Sequence, residues 1–143
     1  MAGTNSRLDE LQAGLLNIRL KYLSQINAEK AVIADRYYQE ITNPLIRLPV
    51  PEPHTQPVWH QYVIRCKQRD KLRTYLAEKG IGTDIHYPTP PHKALYYLHG
   101  NNACCFLPET EKLSETILSL PIFPGLTDDE QAYIIDILNQ FQQ

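Results

Sequence analysis

The sequence predicts an α+β fold in which a small sheet is covered by helices and a long N-terminal helix leads in. Near both ends of the chain, apolar residues recur at three- and four-residue steps, which is the spacing of one helix face. Between the two ends, residues 58–67 alternate between two faces, as the residues of a half-buried strand do. The chain of 143 residues has the size of one domain, and we divide it into a linking helix over residues 1–43 and a small α+β domain over residues 44–143.

The first helix is predicted over residues 7–42, because the proline at position 44 cannot continue the helical hydrogen bonds. Its apolar stripe consists of Leu8, Leu11, Leu15, Ile18, Tyr22, Ile26, Ile33, Tyr37 and Ile41. At 1.5 Å per residue this helix would be about 50 Å long, which is longer than a domain of this size needs for its own core. One interpretation is that the helix spans two bodies, and an equally good one is a core helix that breaks near Asn27.

A strand–helix–strand unit is predicted after a proline-rich connector. Residues 58–67 form its first strand, and residues 69–79 form a helix with Gly80 in the C-cap position. One face of that strand consists of Val58, His60, Tyr62, Ile64 and Cys66. Residues 81–87 are predicted to form a second strand, which leads into a proline-rich loop over residues 88–92.

Two further helices are predicted in the C-terminal third of the chain. The first covers residues 110–118, and the short apolar segment after it, residues 119–123, is interrupted by proline and predicts an edge strand or a buried loop. The last helix is the best marked, because Thr127 and Glu130 have the spacing of a capping box ahead of an apolar stripe.

The composition excludes several classes of protein. A formal net charge of −2 argues against sequence-independent binding to nucleic acid. No stretch approaches the roughly 20 apolar residues of a membrane span, and the polar residues 1–9 do not resemble a signal peptide. The three cysteines are odd in number and two of them are adjacent, which predicts a reducing, cytoplasmic location. With only 6 glycines, the chain has no glycine-rich phosphate loop.

The segment around His86, Tyr87 and Pro88 is the first candidate site. A strand end that presents an imidazole beside a phenol can hold a polar ligand through hydrogen bonds, and the nearby prolines restrain the backbone. Polar residues whose hydrogen bonds are satisfied within the protein would give the same sequence.

The residues ahead of the first helix form a second candidate site. Asn5, Ser6 and Arg7 would bind an anion at the start of the helix, or Asn5 or Ser6 would simply cap it. Possible metal ligands are His86, His92, His99, Cys104 and Cys105. Their spacing matches no common metal motif, so we predict no metal site and expect the cysteines to be inert.

Five blocks stand in order along nearly the whole chain. They are GTNSRLDELQA at residues 3–13, WHQYVI at 59–64, RDKL with GIGT at 69–72 and 80–83, HYPTPPH at 86–92, and LSLPIFP at 118–124 followed by Leu126, Thr127 and Glu130. Together they resemble the C-terminal region of the DegT/StrS family of nucleotide-sugar aminotransferases, which depend on pyridoxal phosphate. The resemblance implies the small C-terminal domain of a type I pyridoxal-phosphate-dependent transferase.

The resemblance implies a function for the parent enzyme rather than for this chain alone. The family's large N-terminal domain carries the Schiff-base lysine, and no lysine here lies in a segment similar to that motif. The parent would move an amino group, that of glutamate, onto a nucleotide-linked keto-sugar for polysaccharide or glycoside biosynthesis, and the isolated chain would be inactive. A stand-alone, non-catalytic binding or regulatory module of the same fold is the alternative.

Four site residues are implied by the same resemblance, in a composite site at a dimer interface. Asn5 would reach the phosphate of the cofactor in the neighbouring subunit, while Arg7, His86 and Tyr87 would reach the nucleotide-sugar. No catalytic residue and no covalent bond to the cofactor are expected from this chain. The apolar stripe of the first helix further predicts a homo-oligomer, and the composition predicts no binding to nucleic acid or membranes.

Overall fold

The computed structural model describes residues 9–94 and 106–142. These residues form α-helices around a small antiparallel sheet, which confirms the α+β class. The elements are α1 (Glu10–Leu20), α2 (Leu23–Glu40), β1 (Ile46–Arg47), β2 (Tyr62–Cys66), α3 (Arg69–Glu78), α4 (Pro108–Thr116), β3 (Ile117–Leu120) and α5 (Asp128–Gln140). Within these ranges, no helix combines the length and the apolar character that crossing a membrane requires.

The N-terminal helical run is interrupted at Lys21 and Tyr22, between α1 and α2. The Lys21 N–H donates to the Ile18 carbonyl at 3.3 Å and the Tyr22 N–H donates to the Arg19 carbonyl at 3.0 Å. These bonds span three residues instead of four, so the chain tightens into a turn of 3₁₀ type. The break therefore comes earlier than the one considered near Asn27, and the run is not one uninterrupted helix.

The sheet has the order β1-β2-β3 with both pairings antiparallel. Tyr62, Ile64 and Cys66 face the core, as the alternation predicts, but the strand predicted over residues 58–67 begins only at Tyr62, and Val58 and His60 of the same predicted face are exposed. The sequence did not predict β1, in which Ile46 pairs with Cys66 and Arg47 pairs with Arg65.

Two predictions about the elements next to β2 are wrong. Residues 81–87 form no continuous strand, because only Asp84 makes a bridge, to Ser119, before the chain turns away towards Pro88. The helix predicted over residues 110–118 ends at Thr116, since Ile117 takes an extended conformation and pairs with Arg65 in β3.

Long-range hydrogen bonds tie the two ends of the domain together around the core. Asn43 is buried just after α2, and its Nδ2 donates to the carbonyls of Leu138 and Phe141 at 2.8 Å each. Gln131 of α5 is also buried, and its Nε2 donates to the Ile33 carbonyl of α2 at 2.7 Å. The largest fully buried side chains are Tyr37, Tyr62, Ile64, Leu72, Leu76, Leu118 and Leu138. The core thus lies between the sheet and helices α2, α3 and α5.

Helix α1 lies outside this core. Within the described part of the chain, none of its residues is buried. Its large apolar side chains, here called the α1 apolar surface, are each more than half exposed: Leu11, Leu15, Leu16, Ile18 and Leu20. The amphipathic stripe that predicts a helix at this position therefore does not pack on the rest of the described chain.

Candidate functional site

A cleft of about 690 Å³ lies beside the start of β2 and the end of β3, and we call it the His86 cleft. Its polar lining includes His60, Asp84, His86 and Ser119, and Ile122 and Phe123 contribute apolar surface. A few polar groups against an apolar wall are typical of a small-molecule site.

A backbone bridge places these polar groups together. The Ser119 N–H donates to the Asp84 carbonyl at 2.8 Å, and the Asp84 N–H donates to the Ser119 carbonyl at 3.3 Å. Because His86 follows Asp84 by two residues, the bridge brings its ring to the side chain of Ser119. Two segments that are 35 positions apart in sequence therefore build one site.

The His86 ring has a polar group near each of its nitrogens. Its Nδ1 lies 2.9 Å from Ser119 Oγ, and its Nε2 lies 3.6 Å from Asp84 Oδ2. The contact with Ser119 is a hydrogen bond in which Nδ1 accepts from the hydroxyl when the ring proton is on Nε2 and donates to the hydroxyl when the proton is on Nδ1. The side chain of His86 is 24% exposed and lines the cleft, so its ring is partly open to a ligand.

Tyr87 lies next to the cleft but does not line it within the described residues. It is 71% exposed, and its ring packs edge-on against the His86 ring with 5.5 Å between centroids. The peptide bond between the two residues is cis. The structure therefore brings His86 into a polar cluster and leaves Tyr87 on the surface beside it.

The other predicted positions divide into two groups. Asn5 and Arg7 lie outside the described residues, as do His99, Cys104 and Cys105. His92 is described but is used elsewhere, since its Nε2 lies 3.1 Å from Glu111 Oε1. In the described ranges, no group of three or more His, Cys, Asp or Glu side chains is placed to hold a metal ion.

The contact of His92 fastens the loop after the cleft to helix α4. Lys93 Nζ donates to Glu111 Oε2 at 2.7 Å, so the adjacent residues His92 and Lys93 both bind the Glu111 carboxylate. The hydrogen bond from Lys93 and, after it, the one from His92 hold the pKa of Glu111 below its usual value.

The sequence did not single out Ser119 and Asp84 as site residues. Each is an ordinary polar residue, and the pairing that gives them a role joins distant segments. The one available signal was that Ser119 lies inside the LSLPIFP block. His60 also lines the cleft, and the sequence places it only on the face of a predicted strand.

Comparisons with known proteins agree with the motif blocks. Residues 1–139 match the model of the DegT/DnrJ/EryC1/StrS aminotransferase family. The chain is 40% identical, over 139 residues, to the dTDP-3-amino-3,6-dideoxy-alpha-D-galactopyranose transaminase of Aneurinibacillus thermoaerophilus. That match covers 97% of this chain and 38% of the relative.

Solved structures have the same fold. The crystal structure of DesV from S. venezuelae in complex with a ketimine intermediate has a TM-score of 0.89 at 40% identity, covering 96% of this chain and 38% of that one. The structure of NtdA from Bacillus subtilis with bound cofactor PMP has a TM-score of 0.82 at 34% identity, covering 95% and 33% respectively.

The chain thus spans little more than a third of the length of the relatives it matches. The family model, in contrast, covers nearly the whole of this chain, including all five motif blocks. On this evidence the chain belongs to the DegT/DnrJ/EryC1/StrS aminotransferase family.

Proposed function

We propose that this chain is the C-terminal part of a pyridoxal-phosphate-dependent enzyme that transfers an amino group from glutamate to a keto-sugar linked to a nucleotide. The observation that carries the proposal is the polar cluster of His86, Ser119 and Asp84 in an open cleft of a chain from this family. The name of the A. thermoaerophilus relative, a transaminase acting on a dTDP-linked amino sugar, supports the substrate class.

In this proposal the cleft contacts the sugar nucleotide. With the ring proton of His86 on Nε2, this nitrogen and the exposed Tyr87 hydroxyl donate hydrogen bonds to its hydroxyl or phosphate oxygens. Ser119 then positions the imidazole by donating to Nδ1, and Asp84 Oδ2 lies 3.6 Å from Nε2. Arg7 would meet the diphosphate, since a guanidinium matches phosphate oxygens in pairs.

The cofactor would be anchored by another part of the enzyme. Pyridoxal phosphate supplies the electron sink for amino transfer when bound. The described lining of the His86 cleft contains imidazole, hydroxyl and carboxylate groups and no lysine, so it fits contact with the sugar better than a covalent bond to the cofactor. Asn5 would reach the cofactor phosphate across a dimer interface, and the isolated chain would be inactive.

The proposed setting follows from the substrate class. Aminated sugar nucleotides serve polysaccharide or glycoside biosynthesis, and the odd number of cysteines supports a cytoplasmic location.

A domain graft tests this function. The chain would replace the matching C-terminal part of the A. thermoaerophilus transaminase, and amino transfer from glutamate to dTDP-linked keto-sugars would be measured. We expect the graft to be active, and the 143-residue chain alone to show no activity and no lysine adduct with pyridoxal phosphate after borohydride reduction. An adduct on the isolated chain, or a folded dimeric graft that binds the cofactor without activity, would contradict the proposal.

Variants of the graft test the roles of individual residues. His86→Gln and Tyr87→Phe should each raise the KM for the sugar nucleotide about tenfold, with the absorption spectrum of the cofactor unchanged. Ser119→Ala should have a smaller effect in the same direction. His92→Gln is the matched control, because its contact with Glu111 lies outside the cleft. Loss of cofactor from the His86 variant would mean that its assigned role is wrong.

A further inference from the structure

A second cleft, of about 470 Å³, lies at the opposite end of β2 from the His86 cleft, and we call it the β2-end cleft. The His86 cleft begins at His60 and Gln61, whereas this one is lined by Cys66, Lys67 and Gln68. Strand β2 has five residues, so about 17 Å of backbone separates the two ends. The β2-end cleft is therefore a separate place on the domain.

Four cationic residues line the β2-end cleft: Arg47, Arg65, Lys67 and Lys112. Among the described residues that line it, none is an aspartate or a glutamate. Within residues 9–94 and 106–142, the basic partners of the ion pairs are other residues: Arg36, Arg69, His86, His92 and Lys93. The four cations thus line one cleft without an ion pair in the described structure, and Arg47 and Arg65 also line a neighbouring cleft that contains Glu52.

The sheet register adds a second observation. Arg47 of β1 pairs directly with Arg65 of β2. Like charges placed directly opposite each other on antiparallel strands destabilise the pairing. A bound anion would remove that repulsion by sharing its charge between the two guanidinium groups.

Uncharged residues complete the lining of the cleft. Gln68 lies beside the cations, but its Oε1 is enclosed by the protein and out of reach of a ligand in the cleft. Leu45 and Phe141 provide apolar lining beside it.

We propose that the β2-end cleft binds a small phosphate ester, with its phosphate among the four cations. A volume of this size is in the range of small-molecule sites and too small for a folded partner. The site goes beyond the proposed aminotransferase function and does not depend on it, because no residue of the His86 cleft takes part.

A titration of the ¹⁵N-labelled 143-residue chain with glucose 1-phosphate tests the proposal, with glucose and sodium chloride at matched ionic strength as comparison titrants. We expect saturable amide shifts at Lys67, Gln68 and Thr116 with glucose 1-phosphate alone. Shifts that do not saturate, or that glucose or salt reproduces, would overturn the proposal.

Charge-removing variants make the test specific. Arg47→Gln and Lys112→Gln lie at exposed positions, and each should raise the Kd for glucose 1-phosphate about fivefold. Arg73→Gln is the matched control, since it removes the same charge from an exposed position on α3 that does not line the cleft. A Kd that rises equally in Arg73→Gln, or that is unchanged in both cleft variants, would contradict the assignment.

Discussion

Tyr37 and Tyr62 face each other in the core, with 5.1 Å between their ring centroids. Both rings are buried, but their hydroxyl groups differ in hydrogen bonding. The Tyr37 hydroxyl donates to the Pro121 carbonyl at 2.9 Å, whereas the Tyr62 hydroxyl is buried and has no partner within the described residues. A satisfied buried hydroxyl contributes to stability, and an unsatisfied one costs free energy. The two phenols are therefore expected to contribute with opposite sign.

Removing each hydroxyl separately should show this difference. We expect Tyr37→Phe to lower the free energy of unfolding by about 1 to 2 kcal/mol, because it leaves the Pro121 carbonyl without its donor. Tyr62→Phe should be neutral or slightly stabilising. Urea denaturation of the two variants, which have the same volume change, measures the contrast. Equal losses in both variants would contradict it.

The same two residues predict how stability depends on alkaline pH. Burial, and secondarily the neighbouring phenol, raises the pKa of Tyr37 above its ordinary value of 10.0, and burial likewise raises the pKa of Tyr62. Above about pH 10 the unfolded chain loses phenolic protons that the folded chain keeps, so the free energy of unfolding falls as pH rises. Below that pH the two tyrosines add no pH dependence.

The double variant Tyr37→Phe/Tyr62→Phe provides the control for this pH dependence. Urea midpoints of the native and double-variant chains would be compared between pH 8 and pH 11. We expect a steeper decline for the native chain above pH 10. Parallel curves would show that other groups cause the alkaline loss of stability.

At the scale of elements, helix α5 begins with a complete capping box. Glu130 N–H donates to Thr127 Oγ1 at 3.3 Å, and Thr127 N–H donates to Glu130 Oε2 at 2.9 Å. The helix carries Ile134 and Leu138 into the core. Loosening its first turn therefore affects the whole domain, not only a surface helix.

Thr127→Ala should lower the free energy of unfolding by about 1 kcal/mol, because it removes the acceptor for the Glu130 amide. Thr74→Ala is the matched control: Thr74 is exposed within α3 and its hydroxyl bonds only to the Asp70 carbonyl of the preceding turn. We expect the control to change stability little. Thermal melts of both variants measure the difference, and equal shifts in Tm would rule out a capping effect.

Elements that depend on local signals were predictable from the sequence. Strand β2, helix α3 and the start of α5 follow from alternation, an apolar stripe and a capping box within a few residues. Strand β1 and the bridge at Asp84 depend on partners elsewhere in the chain. The break at Tyr22 contains neither glycine nor proline, so no local breaker marks it.

In the candidate site, too, the sequence predicted the adjacent residues but not their partners from distant segments. His86 and Tyr87 stood out as adjacent polar residues at a predicted strand end and within a family motif. Their surroundings did not, since Ser119 reaches His86 only through the backbone bridge between residues 84 and 119. A pattern in one segment cannot reveal a contact that two segments make together.

At the scale of the whole molecule, the α1 apolar surface is the largest feature that the described core does not explain. Leu11, Leu15 and Ile18 lie on one face of α1, and exposed apolar side chains that share a face favour association. We propose that copies of this chain associate through it, in line with the dimeric site proposed for the enzyme.

Sedimentation equilibrium tests this association. The native chain should show a mass that rises with concentration, and Leu11→Gln/Leu15→Gln should weaken the association constant at least about tenfold, since each leucine loses its burial between copies. Val32→Gln removes an exposed apolar residue from α2 and should have little effect. A monodisperse monomer at high concentration would contradict the proposal.

The turn at Lys21 and Tyr22 has a consequence for how this domain tolerates change. Because α1 contributes no buried residue to the described core, substitutions there should change the melting temperature only through the association of copies and not through the core. Substitutions in α2, which buries Tyr37, carry a folding penalty. One end of the N-terminal helical run is thus constrained by what it contacts outside the core, while the other end is constrained by the fold.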